Sequence, residues 1–445
     1  MDFKPLSKSL PKKPRLSSQV AKLCKNPTLS HKLGENQALK ILHIASDSLK
    51  GGAESVFRDT IKLTSKYDRF IIYSASCDKE IKHSKHHILL DDYQNYNKII
   101  GVIKYIFNFK NYFLLKNALY TLKPDVIHTQ NYLSRLSPSI LFALKNYKKK
   151  NPKVKLIYTQ HGFGSCANLC FYNYNKNQIC EKCKNANKYK IAFFNCDRRG
   201  RIYSIIKALR VPFYQGIFLK EQDLFDKIVF VSNFQMQKHI EEHYDKNKLV
   251  MIRNPINLEF YNENVKLEDK LDLIVFFGRI SKEKNIPLLL HSFRELTQKD
   301  NFRNYKLLII GDGDDKPRCL SLAKELLNKE QYQFINHLNI AELKDILRKA
   351  KLSVLPSFLY ETFGLVIVES ILSGCIPVVS NIGALKETQI NFGGFSFNLK
   401  KGDLTQVLSK ILNNYDKNFY DFLKIRKKVN INPEIYVNNL FKIYV

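Results

Sequence analysis

The chain has 445 residues and carries 72 Lys and Arg against 41 Asp and Glu, a formal charge of +31. At roughly 100–200 residues per domain this length excludes one ordinary core. A composition 44% apolar and 25% charged is that of a folded soluble chain, not of a disordered or membrane-spanning one. No run reaches the ~18 apolar residues that cross a bilayer. The opening MDFKPLSKSLPKKPRLSS lacks an apolar core and a small-residue cleavage site, which argues against a secretory signal and for a cytoplasmic location.

Residues 1–36 hold eight basic and two acidic residues among Pro and Ser, the pattern of a mobile basic arm. From residue 37 short apolar runs alternate with helical stretches. LKILHIA (39–45), RFIIYSA (69–75), DVIHT (125–129), KLIYT (155–159) and KIVFVS (227–232) predict strands. A second series follows: LDLIVFFG (271–278), YKLLIIGDG (305–313), YQFIN (332–336), LSVLPS (352–357) and CIPVVS (375–380). Strand–helix alternation of this kind predicts doubly wound parallel sheets. The expected fold is α/β, with two Rossmann-like domains facing across a cleft, at 37–250 and 251–430. The tail 431–445 is expected to form a helix that packs back on the first domain.

Three motifs carry candidate chemistry. Gly51-Gly52-Ala53-Glu54 follows the first strand and opens a helix, so its backbone N–H groups and positive helix end suit a phosphate. Gly278-Arg279 through Lys284 follows the first strand of the second domain, where ligands of open α/β sheets sit. Arg279 offers a fork of donors and Lys284 a point charge, together able to neutralise a diphosphate. Glu361-Thr-Phe363-Gly364-Leu365 through Glu369 follows the LSVLPS strand. Its two carboxylates are strong acceptors for sugar and ribose hydroxyls. Glu369 lies in the apolar stretch VIVESIL, where an unpaired charge is costly and demands a partner.

These motifs, with IRNPIN (252–257), IIGDGD (309–314) and SGCIPVVS (373–380), stand in the order found in the retaining glycosyltransferases of family 4, which the chain resembles from residue 39 to 445. The resemblance implies the GT-B fold, with the nucleotide-diphosphate sugar held mainly by the C-terminal domain and the acceptor by the N-terminal one. It assigns Glu361 to the donor sugar, Glu369 to the ribose, Arg279 and Lys284 to the diphosphate, and Gly51, Gly52, Gly278, Phe363, Gly364 and Leu365 to the donor pocket. It implies no divalent metal in catalysis, since the cations take that part, and front-face attack by the acceptor hydroxyl. It also implies a glycan or lipid-linked acceptor in cell-surface polysaccharide or lipopolysaccharide assembly.

One departure stands out. Relatives carry His-x-His after a middle strand of the first domain, and here the stretch is His128-Thr129-Gln130. An amide can hydrogen-bond a hydroxyl but cannot carry a proton at neutral pH. His128, Gln130 and His161 are assigned to the acceptor side, with His161 ranked first and counted among the catalytic residues.

Five of the nine cysteines fall in 162–200. CEKC (180–183) has zinc-knuckle spacing, and the resemblance to members with a Cys-rich insertion selects Cys166, Cys180, Cys183 and Cys196 as ligands of a structural zinc. Free thiols or a disulfide are the alternatives. A basic, aromatic stretch from Lys104 to Lys116 and the run Lys148–Lys150 suggest contact with an anionic membrane surface; the alternative is a core-packed helix with a solvated lysine face. Nucleic-acid binding competes on charge alone, without a supporting motif, so no nucleic-acid partner is expected. A sugar-nucleotide epimerase on the same fold is the other alternative.

Overall fold

The computed structural model describes residues 38–47, 51–184, 186–430 and 432–445. The basic arm expected at 1–36, and Cys24 within it, lie outside the described residues.

Two parallel sheets organise the chain. The first comprises β1 (Leu39–Ile44), β2 (Phe70–Ser76), β3 (His86–Leu89), β4 (Val126–Gln130), β5 (Lys155–Gln160), β6 (Lys227–Phe230) and β7 (Leu249–Met251), in the order β3-β2-β1-β4-β5-β6-β7. The second comprises β8 (Leu271–Phe277), β9 (Lys306–Ile310), β10 (Tyr332–Ile335), β11 (Ala350–Leu355), β12 (Ile376–Ser380) and β13 (Phe395–Phe397), in the order β10-β9-β8-β11-β12-β13. Each order reverses direction once, between β1 and β4 and between β8 and β11. Such a reversal leaves a crevice at the carboxyl ends of the strands. This is the expected α/β architecture of two doubly wound Rossmann-like domains.

The central strands are apolar on both faces because helices cover both. Leu42, Ile44, Ile127, Leu156 and Ile228 anchor the first core; Ile274, Phe276, Ile309, Leu352 and Ile376 anchor the second. Fully burying one such side chain is worth about 1.5–3 kcal/mol. The edge strands β3, β7 and β13 are three or four residues long and were not foreseen, because the exposed β3 sequence HHIL lacks the apolar run of a central strand.

The tail helix, Pro433–Tyr444, lies on the first domain. Tyr436 shares a 2.7 Å hydrogen bond with Thr60, and Tyr444 OH lies 2.6 Å from His128 Nδ1. The Arg69 guanidinium sits 4.6 Å over the Phe441 ring.

The loops after β8 and β9 press against each other. Gly311 and Gly313, in the GDGD stretch, have φ of 139° and 158°. A Cβ at Gly311 would lie 1.9 Å from the carbonyl oxygen of Gly278, and one at Gly313 2.0 Å from that of Ile280. Only glycine allows this approach, which holds the Arg279 loop in place. Gly313→Ala is therefore expected to cost at least about 3 kcal/mol. Urea denaturation checks this, and a wild-type midpoint would mean that the two loops are not pressed together.

Candidate active site in the interdomain cleft

The loops leaving β8 and β11 at the switch point of the second sheet carry Arg279, Lys284 and Glu361. Lys284 Nζ donates to Glu361 Oε1, and Ser357 Oγ donates to the same oxygen at 3.0 Å. Both ends of the pair are mostly covered, with side chains 18% and 19% exposed. Burial raises the Glu361 pKa, but the charge and hydrogen bond of Lys284 outweigh it and hold the carboxyl below its ordinary value. Arg279 reaches buried Glu283 at 2.5 Å through one nitrogen while its side chain stays about half exposed, so its other N–H groups are left for a further acceptor. The structure thus brings Arg279, Lys284 and Glu361 together.

Gly364, with φ of 89°, turns the chain into the Leu365–Ser373 helix. A Cβ on Gly52 would lie 3.2 Å from Leu365 Cδ1. The Gly51–Gly52 turn, which opens the Gly52–Thr64 helix, therefore faces the start of the Leu365–Ser373 helix, and two helix N-termini meet across the cleft. Phe363 is buried in the second core, and its carbonyl accepts from Thr388 Oγ1 at 2.5 Å.

Glu369, one turn beyond Leu365, has no hydrogen-bond partner among the described residues. It faces a cavity of about 720 Å³ between the Gly52–Thr64 and Leu365–Ser373 helices. Burial, and then the charge of Asp59, push its pKa up to about 7. Asp59 lines the same cavity and is pushed up to about 6, mainly by burial. No motif pointed to Asp59; its one signal was its place seven residues after Gly52 on the same helix.

The first domain supplies the facing wall. His161 Nε2 lies 2.9 Å from Gln130 Oε1. Burial lowers the imidazole to about 4, so the ring is neutral at pH 7, and Nε2 carries the hydrogen in this pair. Gln130 Nε2 has no partner among the described residues. The His161 carbonyl accepts from Thr362 Oγ1 at 3.4 Å, which puts this histidine next to Glu361 in the chain packing. His128 differs from its assignment. It is 0% exposed, and its ring nitrogens meet Tyr444 OH at 2.6 Å and Thr159 Oγ1 at 2.7 Å. Its central-strand position points the ring into the layer under the tail helix, so it is a core histidine and not an acceptor contact.

The insertion 162–200 closes one side of the cleft. Tyr360 packs against Phe163, Phe171 and Phe234, and Tyr172 against Phe358, so the insertion braces the loop bearing Glu361. Arg198 reaches Asp314 of the second domain at 3.7 Å. The eight described cysteines are free thiols. Cys166 and Cys183 share a hydrogen bond that pulls the Cys183 thiol down to about 7 and raises Cys166. Among the described residues no three His, Cys, Asp or Glu gather closely enough to hold a metal. The thiols expected to hold zinc, Cys166, Cys180, Cys183 and Cys196, nonetheless share one neighbourhood: Cys196 feels the charges of Cys183 and Cys180, and Cys166, packed between Phe163 and Phe171, bonds Cys183 and the Cys170 carbonyl.

The two domains are pinned by charge at a helix end. The Glu387 carboxylate accepts from Asn233 N at 2.9 Å and from Phe234 N at 2.8 Å, at the positive end of the Asn233–Ile240 helix, a favoured place for an anion.

Residues 258–424 match the family model described as glycosyl transferases group 1. An uncharacterized glycosyltransferase of Methanocaldococcus jannaschii, MJ1607, is 29% identical over 154 residues, 32% of this chain and 38% of that protein. An uncharacterized 41.2 kDa protein in the cps region of Klebsiella pneumoniae is 24% identical over 358 residues, 78% of this chain and 83% of its own length. The crystal structure of Anabaena Alr3699/HepE in complex with UDP-glucose has the same fold, with a TM-score of 0.60 at 13% identity over 91% of this chain and 100% of that one.

Because the pKa of Glu369 is raised on folding, its protonated form favours the native state. That contribution is complete below the unfolded pKa and is lost as pH rises through about 7. The melting temperature is expected to fall from about pH 4.5 to about pH 7.5, and Glu369→Gln to flatten part of that fall. Glu221 and Asp59, raised to about 7 and about 6 mainly by burial, keep the remainder. Parallel melting curves for the variant and the wild type would refute this. The family match over the second domain, joined to the fold of the whole described chain, supports a glycosyltransferase of the GT-B type.

Proposed function

We propose that the chain is a retaining hexosyltransferase that moves a sugar from a nucleoside diphosphate sugar to a glycan or lipid-linked acceptor in cell-surface polysaccharide or glycolipid assembly. The observation that carries this reading is the Lys284–Glu361 pair at the switch point, with Arg279 beside it. The departing diphosphate gains charge in the transition state, and fixed cations that meet it lower the barrier without reorganising. Arg279 and Lys284 fill that part, so no divalent metal is needed. As Lys284 turns to the phosphate, the Glu361 carboxylate becomes available to the sugar hydroxyls. The acceptor oxygen bonds to the anomeric carbon on the face that the diphosphate leaves, and its proton passes to a leaving phosphate oxygen. His161, neutral and next to the Glu361 loop, and Gln130, with its spare N–H, suit acceptor hydroxyls. The UDP-glucose complex of a protein with the same fold and the relative in a cps region support this choice of donor and pathway class.

A ligand that binds only the folded state raises its melting temperature. A thermal-shift screen of UDP, GDP and their sugars should find one that stabilises the chain, with the shift lost in Arg279→Ala. Glu361→Gln should keep that shift and lower kcat about 10²–10³-fold. A donor consumed equally fast without any acceptor would favour the epimerase instead.

The acceptor's source bears on a second surface. Lys104 and Lys110 are tied to Asp91 at 2.8 and 3.2 Å, so they do not form the free basic face expected of them. The neighbouring Lys98–Ile106 and Arg201–Arg210 helices instead expose Ile99, Ile103, Ile202 and Ile205, with Ile99 76% and Ile202 72% exposed. Beside Lys98 and Arg201, both exposed, this stripe fits the headgroup region of an anionic bilayer. Ile99→Ser with Ile202→Ser should lower cosedimentation with phosphatidylglycerol vesicles severalfold; unchanged sedimentation would exclude the stripe as the contact.

A further inference from the structure

The loop that carries Arg279 contains a buried acid with no part in the chemistry above. Glu283 is 1% exposed, yet only one of its carboxylate oxygens is engaged. Oε1 accepts from Arg279 Nη2 at 2.5 Å, and Oε2 has no hydrogen-bond partner among the described residues. A carboxylate kept out of water and half satisfied is a poor device for stability alone. The pair is lopsided as well. Its acidic end is sealed in the protein, whereas the Arg279 side chain is 53% exposed. A long arginine side chain has much rotamer freedom to lose. A charge-assisted bond to a fixed carboxylate removes part of that freedom before a ligand arrives.

The backbone around Arg279 is fixed on both sides. Gly278 N and Ile280 N donate to the Ile310 and Asp312 carbonyls at 3.0 and 2.9 Å, so the direction of the side chain is left to Glu283. What fixes Glu283 comes from further off. It lies in the short helical turn Lys282–Lys284, and its carbonyl accepts from Phe358 N at 3.0 Å. Phe358 belongs to the loop that bears Glu361, and its ring meets the Tyr172 ring edge-on with centroids 5.4 Å apart. Tyr172 is itself 1% exposed in the insertion of the first domain and pairs with Ile179 in a short antiparallel ladder. The insertion thus reaches Arg279 through two aromatic rings, one backbone hydrogen bond and one ion pair.

We propose that Glu283 is a positioning residue that aims the Arg279 guanidinium at the donor's diphosphate, and that the insertion of the first domain keeps it there through Tyr172 and Phe358. This rests on the glycosyltransferase reading above and adds to it a way for the first domain to set the strength of a phosphate contact in the second. What Glu283 supplies is orientation by a hydrogen bond, since its charge by itself opposes an incoming anion.

Titration calorimetry on the full chain with UDP and GDP, and with the monophosphate of whichever binds, tests this. In the wild type the second phosphate is expected to tighten binding about tenfold or more. Glu283→Ala should remove most of that gain and leave the monophosphate little changed. Glu283→Gln, whose amide oxygen still accepts from Arg279, should keep the gain. A merely structural part for Glu283 would weaken mono- and diphosphate by the same factor and leave the gain intact, which overturns the proposal. So does a Glu283→Gln variant that loses the gain as fully as Glu283→Ala. Phe358→Ala should lose part of the gain, and it gives the same comparison if Glu283→Ala does not fold; the whole gain surviving in it would overturn the part assigned to the insertion. If neither nucleotide binds the wild type, or its second phosphate adds nothing, the donor reading itself fails. If the gain is present in the wild type and intact in Glu283→Ala, that reading stands and this inference alone falls.

Discussion

The ion pair between Lys284 and Glu361 is the contact around which the second domain's crevice is arranged. Two mostly covered charges must satisfy each other or pay several kcal/mol apiece for lost hydration, so the loops after β8 and β11 cannot drift apart while the pair is intact. Ser357 adds a second donor to the same carboxylate oxygen.

Other features serve to hold that pair at a crevice between domains. Gly311 and Gly313 let the neighbouring loop lie directly against Gly278 and Ile280. Glu387 fastens the Asn233–Ile240 helix across the boundary. Aromatic rings of the insertion brace Tyr360, the residue before Glu361. The insertion thus acts through packing on the loop that bears Glu361, with its cysteines gathered behind those rings.

The cleft is asymmetric in its electrostatics. On one side of the Leu365–Ser373 helix start, cations dominate and Glu361 is held ionised. On the other, burial makes Asp59 and Glu369 keep their protons more tightly. The same residue type behaves differently because Lys284 outweighs burial at Glu361, whereas burial, and then the charge of Asp59, prevails at Glu369.

The sequence alone determined the two α/β domains, since buried parallel strands must be apolar on both faces and so stand out as runs such as LKILHIA and LDLIVFF. It also determined where the glycine turns at Gly51–Gly52 and Gly278 begin, because glycine after a strand and before a helix is a local requirement. Three of the four short edge strands, β3, β7 and β13, were not legible, as half-exposed backbone pairing asks little of side chains. Position in the chain could not tell that His128 turns into the core under Tyr444, that Lys104 and Lys110 are spent on Asp91, or that Asp59 looks across at Glu369. Those outcomes depend on which faces of distant helices meet, and that is set by the packing of whole layers, which no local pattern of residues encodes.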